Sequence, residues 1–435
     1  MDRGMWKVFG VALALRMGFG ILALWRVGPE AVMTPDSWDY LRLGTSLAEH
    51  GVFGTHEPEV FRTPGYPLAL SLALWPEHAG VRGGLLMAGW VAQIVLGALT
   101  CLLLRSLALS LGLPERVASL SAWLCALEPL SVLYAPLMLS ETLFTFLLIA
   151  TLMALRQSHR SFRFSCLAGL GLAGLAFTRA AAVYLPWPAF LLVVYGGVRD
   201  KQPWTRALPV ILLPMVAMGL WVCRNESQAE YRGFAAVKEY NVGVYWGAAV
   251  RARIEGRPFA EVSESTKRAM HESRSRQGKS LGSMYHDVYQ EGKGILMAHP
   301  VEALLVHVKG LAVATLDPGS TEALQLIGLR KQGGGLLAGI QDDGVVGTIQ
   351  TLVARQPLLL VISTLLGLVL AGLYVLSFLG LRRLERGGLL LLATVMAYLA
   401  LVSGGANATG RFRHPVMPLI CIVAAAGLCV REERR

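Results

Sequence analysis

Two aspartates lie where the first apolar stretch of the chain gives way to polar sequence. Asp36 and Asp39 belong to the segment PDSWDYLRLG, and Tyr40 directly follows the second of them. A carboxylate can act as a general base, because it accepts the proton of a hydroxyl group as that hydroxyl attacks. On a helix, Asp36 and Tyr40 would share a face, and Asp39 would lie about 300° onward, close to that face. Either aspartate is a candidate base, although Asp36, which follows Pro35, also suits a helix N-cap.

Four arginines are candidates to bind an anionic group, for instance a phosphate. Guanidinium groups form short, charge-assisted hydrogen bonds with phosphate oxygens, often two at a time. The alternative is that these side chains lie at the membrane interface and extend toward lipid headgroups. Arg411 and Arg413 are separated by one residue, so on a helix only one of the two is expected to reach the phosphate. The four candidates are Arg62, Arg179, Arg411 and Arg413.

A further set of polar residues is predicted either to bind the sugar or acceptor, as the Glu141 carboxylate could through sugar hydroxyls, or to support the site. Glu141 opens an apolar run, where it would either stabilise a helix N-terminus or orient an arginine. Tyr66 follows a Pro-Gly pair and could simply shape that turn. Two histidines could ligate a divalent metal with the aspartates, but no His-x-x-x-His or His-Glu-x-x-His spacing occurs, so a metal is not favoured. The supporting candidates are Tyr40, His56, Tyr66, Glu141 and His414.

The composition indicates a membrane protein. Of the 435 residues, 54% are apolar and 16% are charged, and the mean hydropathy is +0.51, which is too apolar for an ordinary soluble domain. The formal net charge of +11 lies mainly in clusters beside apolar runs, which is typical of topology determinants rather than of a nucleic-acid surface. About ten stretches are predicted to span the membrane. They are 8–27, 84–104, 117–134, 141–155, 164–177, 181–198, 207–223, 358–381, 388–402 and 416–430.

Lysine and arginine set the predicted orientation. Basic clusters such as the one at residues 156–163 recur in alternate short loops, which face the cytoplasm by the positive-inside rule. Both termini are then cytoplasmic. All of the candidate residues above fall on the opposite, outer face. Arg16 lies within the first span, where we expect a structural role with Glu128 as its partner.

Three regions follow from this topology. Residues 1–223 form an N-terminal transmembrane core that includes the first outer loop at 28–82, residues 224–356 form an outer insertion, and residues 357–435 form C-terminal transmembrane helices. Residues 301–316 are apolar but contain three ionisable residues, so we interpret them as an amphipathic helix at the outer interface. The later segment RKQGGGLLAGIQDDG is predicted to be a flexible loop.

A series of motifs on the predicted outer face is similar to a known family. PDSWDYLRLGTSLAEHGVF and RTPGYPLAL are followed in order by LSETLF, GLAFTRAAAV, LWVCRN and GRFRHPVMPLI. Together they resemble GT-C glycosyltransferases of the group that depends on polyprenyl-phosphate sugars, which includes protein mannosyltransferases (glycosyltransferase family 39) and aminoarabinose transferases. The resemblance covers most of the membrane part and implies an all-α, GT-C-like bundle with a helical first outer loop. The insertion carries no motif of this kind.

The resemblance implies an integral-membrane inverting glycosyltransferase. It would move a sugar from a polyprenyl-phosphate donor, such as an undecaprenyl phosphate, to an acceptor on the periplasmic face of a bacterial inner membrane. Asp36 takes the position of the catalytic aspartate and Tyr40 that of the aromatic residue. Many relatives have Asp-Glu where this chain has Asp36-Ser37, so Asp39 remains a competitor. Expected partners are membrane lipids, the lipid-linked sugar and a glycan, glycolipid or protein acceptor; no nucleic acid and no certain cofactor are expected.

Two other functions use the same features. A transporter or flippase could bind an anionic substrate, such as a lipid-linked sugar, through the outer arginines. Such proteins usually carry paired half-repeats and polar residues near the membrane midplane, whereas the polar set here lies on one face, which favours an enzyme. A glycan polymerase or ligase is the nearest enzymatic alternative. It would depend on a diphosphate-linked oligosaccharide.

Overall fold

The protein is built from α-helices. The computed structural model describes residues 3–73, 84–329, 350 and 352–429. Within these residues there is no β-strand, and one isolated bridge joins Gly54 to Pro58. The all-α class predicted from the sequence is confirmed.

The helices follow one another with short connections. Those of the first half are α1 (Arg3–Val27), α2 (Pro35–His50), α3 (Gly65–Ala73), α4 (Gly84–Ser110), α5 (Glu115–Leu127), α6 (Pro129–Tyr134), α7 (Glu141–Ser158), α8 (Phe162–Thr178), α9 (Pro186–Arg199) and α10 (Leu208–Ala229). Those of the second half are α11 (Val237–Tyr240), α12 (Ala248–Glu255), α13 (Phe259–Gln277), α14 (Leu281–Ala298), α15 (Pro300–Leu316), α16 (Ser320–Leu326), α17 (Pro357–Gly380), α18 (Arg386–Ser403) and α19 (Met417–Leu428). A π-helix (Asn241–Gly247) follows α11, and a 3-10 helix (Gly410–Val416) precedes α19.

Many of these helices are suited to a bilayer, where every backbone amide and carbonyl must be paired within the segment itself. Among the described residues, seven helical segments are long and apolar enough to cross a membrane, or eight if α14 and α15, bent by 104°, form one broken span. A multi-pass membrane protein is therefore confirmed. The remaining predicted spans, at 117–134, 141–155 and 164–177, form α5 with α6, α7 and α8, which fall short of that length or apolar content.

The last span lies at the centre of the bundle. In the segment Gly410–Leu428, 83% of the apolar window is buried inside the protein, compared with 44% or less in the other candidate spans. Its helix α19 packs against α17, α5 and α4. Because α19 is enclosed by its neighbours, the 3-10 turn that leads into it is held in a fixed position.

Helices α17 and α19 approach closely at two glycines. A Cβ atom added to Gly380 would overlap the carbonyl oxygen of Val423, and one added to Gly427 would overlap that of Leu376. Small residues allow helix backbones to come this near in a membrane, where packing replaces the hydrophobic effect as the driving force for association. This close contact fixes α19 against α17.

Arg16 is a buried cation near the middle of α1, with 1% of its side chain exposed. Its guanidinium donates hydrogen bonds of 3.1 Å to the carbonyl oxygens of Cys125 and Ala126, in the last turn of α5, where the helix dipole is negative. The prediction that Glu128 pairs with Arg16 was wrong, because the Glu128 carboxylate accepts hydrogen bonds from the backbone amides that open α6. Arg16 thus joins α1 to the end of α5.

The predicted insertion at 224–356 is docked on the predicted loop at 28–82 through its described residues. The amide of Ala236 donates to the carbonyl of Val60 (2.8 Å), and Arg224 donates to the carbonyls of Glu59 (2.7 Å) and Phe53 (2.8 Å). These bonds hold the loop from the side of the insertion.

The predicted regions map onto these helices in different ways. The proposed boundary between 223 and 224 falls inside α10, and residues 301–316 form most of α15. The glycine-rich segment lies outside the described residues. The division into regions, and the interfacial position of 301–316, stay predictions.

We predict that Gly380→Ala destabilises the protein by about 1–3 kcal/mol, because the added methyl group overpacks the α17–α19 contact. Gly372→Ala is the matched control on the same helix: a Cβ atom there meets nothing within 4 Å among the described residues. It should be neutral or slightly stabilising, since alanine favours helix over glycine. Thermal unfolding of both variants in detergent measures the difference, and equal melting temperatures would contradict this packing.

Candidate active site

Distant parts of the chain meet at one end of the bundle. The segments that contribute to this end are the N-terminus of α2, the loop before α3, the N-termini of α7 and α9, the turn between α8 and α9, and the 3-10 turn before α19. Their charged side chains form a continuous network of ion pairs. The residues brought together are Asp36, Asp39, Arg62, Glu141, Arg179 and Arg411.

Asp36 lies at the centre of this network. Its Oδ1 accepts a hydrogen bond of 2.6 Å from Nη2 of Arg62, and its Oδ2 accepts one of 2.7 Å from Nη1 of Arg411. The side chain is 28% exposed, and those of Arg62 and Arg411 are 16% and 20% exposed. One carboxylate is thus held by two guanidinium groups that remain open to a ligand.

The start of α2 explains why Asp36 is available for this contact. Thr34 is the N-cap, with its side chain accepting from the amide of Ser37, while the Ser37 side chain accepts from the amide of Thr34. The interpretation of Asp36 as the N-cap was therefore wrong. Thr34 satisfies the helix end, and Asp36 in the first turn is left to project toward the arginines.

The arginines keep Asp36 ionised. Burial favours the neutral form of its carboxyl group, but the positive charges of Arg411 and Arg62 outweigh burial and hold the pKa of Asp36 below its ordinary value of 3.8. With both arginines in place, Asp36 is a carboxylate of weak basicity. Its strength as a base depends on where these two guanidinium groups point.

Asp39 occupies a more exposed position on the same arginine. Its Oδ2 accepts from Nε (3.2 Å) and Nη2 (3.0 Å) of Arg62, and the side chain is 40% exposed. Arg42 lies 3.9 Å from its other oxygen. Asp39 therefore orients Arg62 against Asp36 and has no contact with Arg411 among the ion pairs of the described residues.

Glu141 anchors the deep side of the network. It is fully buried, and its Oε1 accepts from Arg179 at 2.5 Å and from Nε of Arg411. Arg179 also donates to the hydroxyl of Ser140 (3.3 Å). Of the two roles predicted for Glu141, the structure has it orienting arginines, since the carboxylate is shared by two guanidinium groups.

Two tyrosine side chains pack beneath the guanidinium group of Arg62. The guanidinium carbon of Arg62 lies 5.3 Å from the ring centre of Tyr40, and the Tyr40 and Tyr66 rings meet edge to face at 4.9 Å. The Tyr66 hydroxyl donates to the side-chain oxygen of Gln93 (2.6 Å). Tyr66 therefore supports the site from below as well as following the Pro-Gly turn.

The structure places three of the predicted residues elsewhere. Arg413 is buried and donates to the backbone carbonyls of residues 314, 315 and 317, so it fastens the end of α15. His414 is also buried, and its Nδ1 lies 3.2 Å from the hydroxyl of Thr145. His56 is exposed on the first outer loop. Of the arginine pair, Arg411 alone pairs with an aspartate among the ion pairs of the described residues, and phosphate binding by either arginine stays a prediction.

Two supporting residues were missed. Glu59 accepts hydrogen bonds from the backbone amides of Phe61 (2.6 Å) and Arg62 (3.0 Å) and so shapes the loop that presents Arg62. Gln93 links Tyr66 to the carbonyl oxygen of Ala135 (3.1 Å). A glutamine inside an apolar span is itself an indication of function or pairing, and that signal could have identified Gln93.

The chemistry of the site follows from its charge balance. Three arginines face three carboxylates, so the network is neutral as it stands. An incoming anion can bind the guanidinium groups if a carboxylate yields its place. Both oxygens of Asp36 already face cations, and no group of three or more His, Cys, Asp or Glu suited to a metal occurs within the described part of the chain.

Comparison with known proteins bears on the fold. No protein-family model and no curated protein matches the sequence. Among solved structures, the archaeal oligosaccharyltransferase AglB from Archaeoglobus fulgidus, in complex with an inhibitory peptide and a dolichol-phosphate, aligns with a TM-score of 0.51 and 14% identity over 98% of this chain and 50% of that one. The Archaeoglobus fulgidus oligosaccharyltransferase tethered to an acceptor peptide aligns with a TM-score of 0.50 and 12% identity over 96% and 49%.

This chain has their fold. It spans about half the length of the solved structures that it matches. The GT-C-like bundle predicted from the sequence is confirmed by this likeness, which at such low identity speaks for the fold alone.

We predict that Glu141→Gln lowers the free energy of unfolding by about 3–5 kcal/mol, because it removes the buried charge that Arg179 and Arg411 share. Glu226→Gln serves as the control, since Glu226 is 45% exposed and pairs with an exposed arginine. That change should stay within about 0.5 kcal/mol. Chemical or thermal unfolding in detergent compares the two, and a Glu141→Gln protein as stable as the control would contradict the proposed anchoring.

Proposed function

We propose that this protein is an inverting glycosyltransferase of a bacterial inner membrane that moves a sugar from a polyprenyl-phosphate donor to an acceptor hydroxyl. The observation that carries the proposal is the clamp on Asp36, whose two oxygens accept hydrogen bonds from Arg62 and Arg411. A candidate base and two candidate phosphate ligands are in direct contact at one site. Glycosyl transfer from a lipid phosphate needs both.

Donor binding begins with an exchange of partners. The donor's phosphodiester carries one negative charge on two non-bridging oxygens, as a carboxylate does, so it competes for the guanidinium groups of Arg62 and Arg411. The phosphate monoester that leaves carries more negative charge still. Arg179 lies behind them on Glu141 and is 17% exposed, within reach of the same ligand. As the arginines turn to the phosphate, Asp36 loses the cations that depress its pKa.

The released carboxylate is then the base. Asp36 takes the proton of the acceptor hydroxyl, whose oxygen forms a bond to the anomeric carbon of the sugar. The bond between that carbon and the phosphate oxygen breaks, and its electron pair leaves with the lipid phosphate, where the arginines stabilise the charge. A single displacement inverts the anomeric configuration, because no second carboxylate acts as a nucleophile.

Asp36 is a better base than Asp39 on structural grounds. Asp36 lies between both arginines, so it changes its environment when the donor binds, whereas Asp39 contacts Arg62 and the exposed Arg42. Asp39 acts instead as a positioning residue for Arg62. The proposed reaction uses Arg62 and Arg411, rather than a metal ion, as the cations that stabilise the leaving phosphate.

The acceptor would enter beneath the outer insertion. The Phe61 ring lies 4.9 Å from the guanidinium carbon of Arg62 and 5.4 Å from the ring of Tyr240, while Tyr285 stacks on it at 6.2 Å. These aromatic rings extend from the ion-pair network into the insertion. We propose that they help to select the acceptor.

Two further observations support the proposal. The fold is that of a solved oligosaccharyltransferase captured with a dolichol-phosphate, so a lipid phosphate is a ligand of that protein. Arginines also cluster at the opposite end of α7, which by the positive-inside rule faces the cytoplasm. The ion-pair network then faces the periplasm, where a flipped lipid-linked sugar and its acceptor meet.

The test is sugar transfer by the full chain in liposomes, with polyprenyl-phosphate monosaccharides and a polyprenyl-diphosphate oligosaccharide as alternative donors. We predict that Asp36→Asn lowers the rate at least about 100-fold with the monophosphate donors, the scale of one general base. Asp39→Asn, the matched variant on the same helix, should retain most activity.

Each other outcome has a definite meaning. Loss with Asp39→Asn alone would move the base to Asp39. Transfer from the diphosphate donor alone would make the protein a polymerase or ligase. No transfer from any donor, together with uptake of a lipid-linked sugar across the membrane, would replace the enzyme with a transporter.

A second prediction concerns pH. In the free enzyme the pKa of Asp36 is held below its ordinary value of 3.8, so the acid limb of kcat/KM should lie below that value. Arg62→Gln removes one of the two depressing charges, and the pKa of Asp36 and the acid limb should therefore move to higher pH. Arg232→Gln, an exposed arginine of the insertion, should leave the limb in place. An acid limb unmoved by Arg62→Gln would contradict the assignment of this limb to Asp36.

A further inference from the structure

A second group of basic residues lines a groove at the other end of the bundle. The groove lies between the end of α7, the length of α9 and the start of α18, and its volume is about 50 Å³. Since α7 has 18 residues, this end is about 27 Å from Glu141. Its polar lining comes from Arg156, His159 and Arg199.

The charges around the groove do not balance. Arg156 pairs with Glu385 at 3.2 Å, while Asp200 accepts hydrogen bonds from Arg160 (3.0 Å) and Arg199 (3.3 Å). Arg206 joins the cluster through a hydrogen bond of 3.1 Å to the backbone carbonyl of residue 160. Among the described residues around the groove, four arginines thus share two carboxylates.

The protonation states of the titratable groups around the groove do not remove this excess of positive charge. Hydrogen bonds from Arg160, and from Arg199 and His159, lower the pKa of Asp200 to about 2, so Asp200 is ionised at neutral pH. Its negative charge is one of the two that offset the four arginines. Burial lowers the pKa of His159, so its imidazole is neutral there. The surplus positive charge therefore belongs to the arginines.

One arginine in the groove has an unused donor. The Nε atom of Arg156 is buried and has no hydrogen-bond partner among the residues that the structure describes. A buried donor without a partner is costly, and a bound acceptor removes that cost. Arg156 is one of the residues that line the groove.

The walls of the groove are apolar. Leu155, Leu192 and Val193 line its depth, and Leu390 and Leu391 its other side. Tyr195 stands at the rim and is 54% exposed. A small hydrated anion would gain no binding energy from apolar walls. A phospholipid has acyl chains next to its charged phosphate, so it can contact both the walls and the arginines.

We propose that this groove binds an anionic phospholipid, with its phosphate at the arginine cluster and an acyl chain against the leucines of α9 and α18. The site is separate from the candidate active site, and the proposal does not depend on the function of that site. Its occupant is identified by complementary charge and by apolar walls at the end of membrane-spanning helices.

The test uses the full chain in a neutral detergent, titrated with phosphatidylglycerol, phosphatidylcholine or inorganic phosphate. Native mass spectrometry measures bound lipid, and the melting temperature reports stabilisation. We expect phosphatidylglycerol to bind in one-to-one ratio and to raise the melting temperature, with little effect of the other two. Arg156→Gln should weaken this binding about tenfold or more, the value of a charge-assisted hydrogen bond.

Gly387→Leu tests the groove independently of charge. A Cβ atom at Gly387 meets only Arg199, at 3.5 Å, so a leucine fits the backbone and fills the groove. Arg382→Gln, an exposed arginine near the start of α18 that does not line the groove, is the control. The proposal is overturned if both groove variants bind phosphatidylglycerol as the control does, if phosphatidylcholine binds equally well, or if inorganic phosphate alone gives the same stabilisation.

Discussion

The pairing of Asp36 with Arg411 is the contact on which the rest of the structure depends. Ionisable groups near the membrane are costly unless they are paired, so a fold that brings them there must also bring their partners. Asp36 comes from the first outer loop and Arg411 from the turn before the last described helix. One ion pair of 2.7 Å therefore joins segments that are 375 residues apart.

The surrounding structure keeps this pair in position from both sides. The capping box at Thr34 fixes the first turn of α2, and Glu59 shapes the loop that brings Arg62 to the second oxygen of Asp36. On the other side, burial of α19 holds the turn that carries Arg411, and Glu141 receives the same guanidinium. Glu141 is fully buried and Asp36 is partly exposed, so of the two carboxylates that hold Arg411, Asp36 is the one proposed to yield to an anionic ligand.

Much of this architecture was predictable from local sequence. Apolar runs of membrane length predicted the all-α bundle, and the polar residues between them predicted which loops share a face. The spacing of Arg411 and Arg413 indicated that only one would reach the phosphate site. What local sequence could not predict were partners fixed by tertiary packing. Arg413 binds carbonyls of a distant helix, and Arg16 binds the carbonyl end of α5 in place of Glu128, because helix ends offer charge that no side chain reveals.

The proposed catalysis depends on competition between Asp36 and the lipid phosphate for the arginines. The decisive measurement is equilibrium binding of polyprenyl phosphate, without a sugar, to the full chain in detergent and to its Asp36→Asn and Arg411→Gln variants. If Asp36 competes with the ligand, Asp36→Asn should bind the lipid phosphate at least as tightly as the wild type, whereas Arg411→Gln should bind about tenfold or more weakly. If Asp36→Asn loses affinity as Arg411→Gln does, the carboxylate is part of the binding site rather than its competitor, and the exchange of partners proposed for catalysis is wrong.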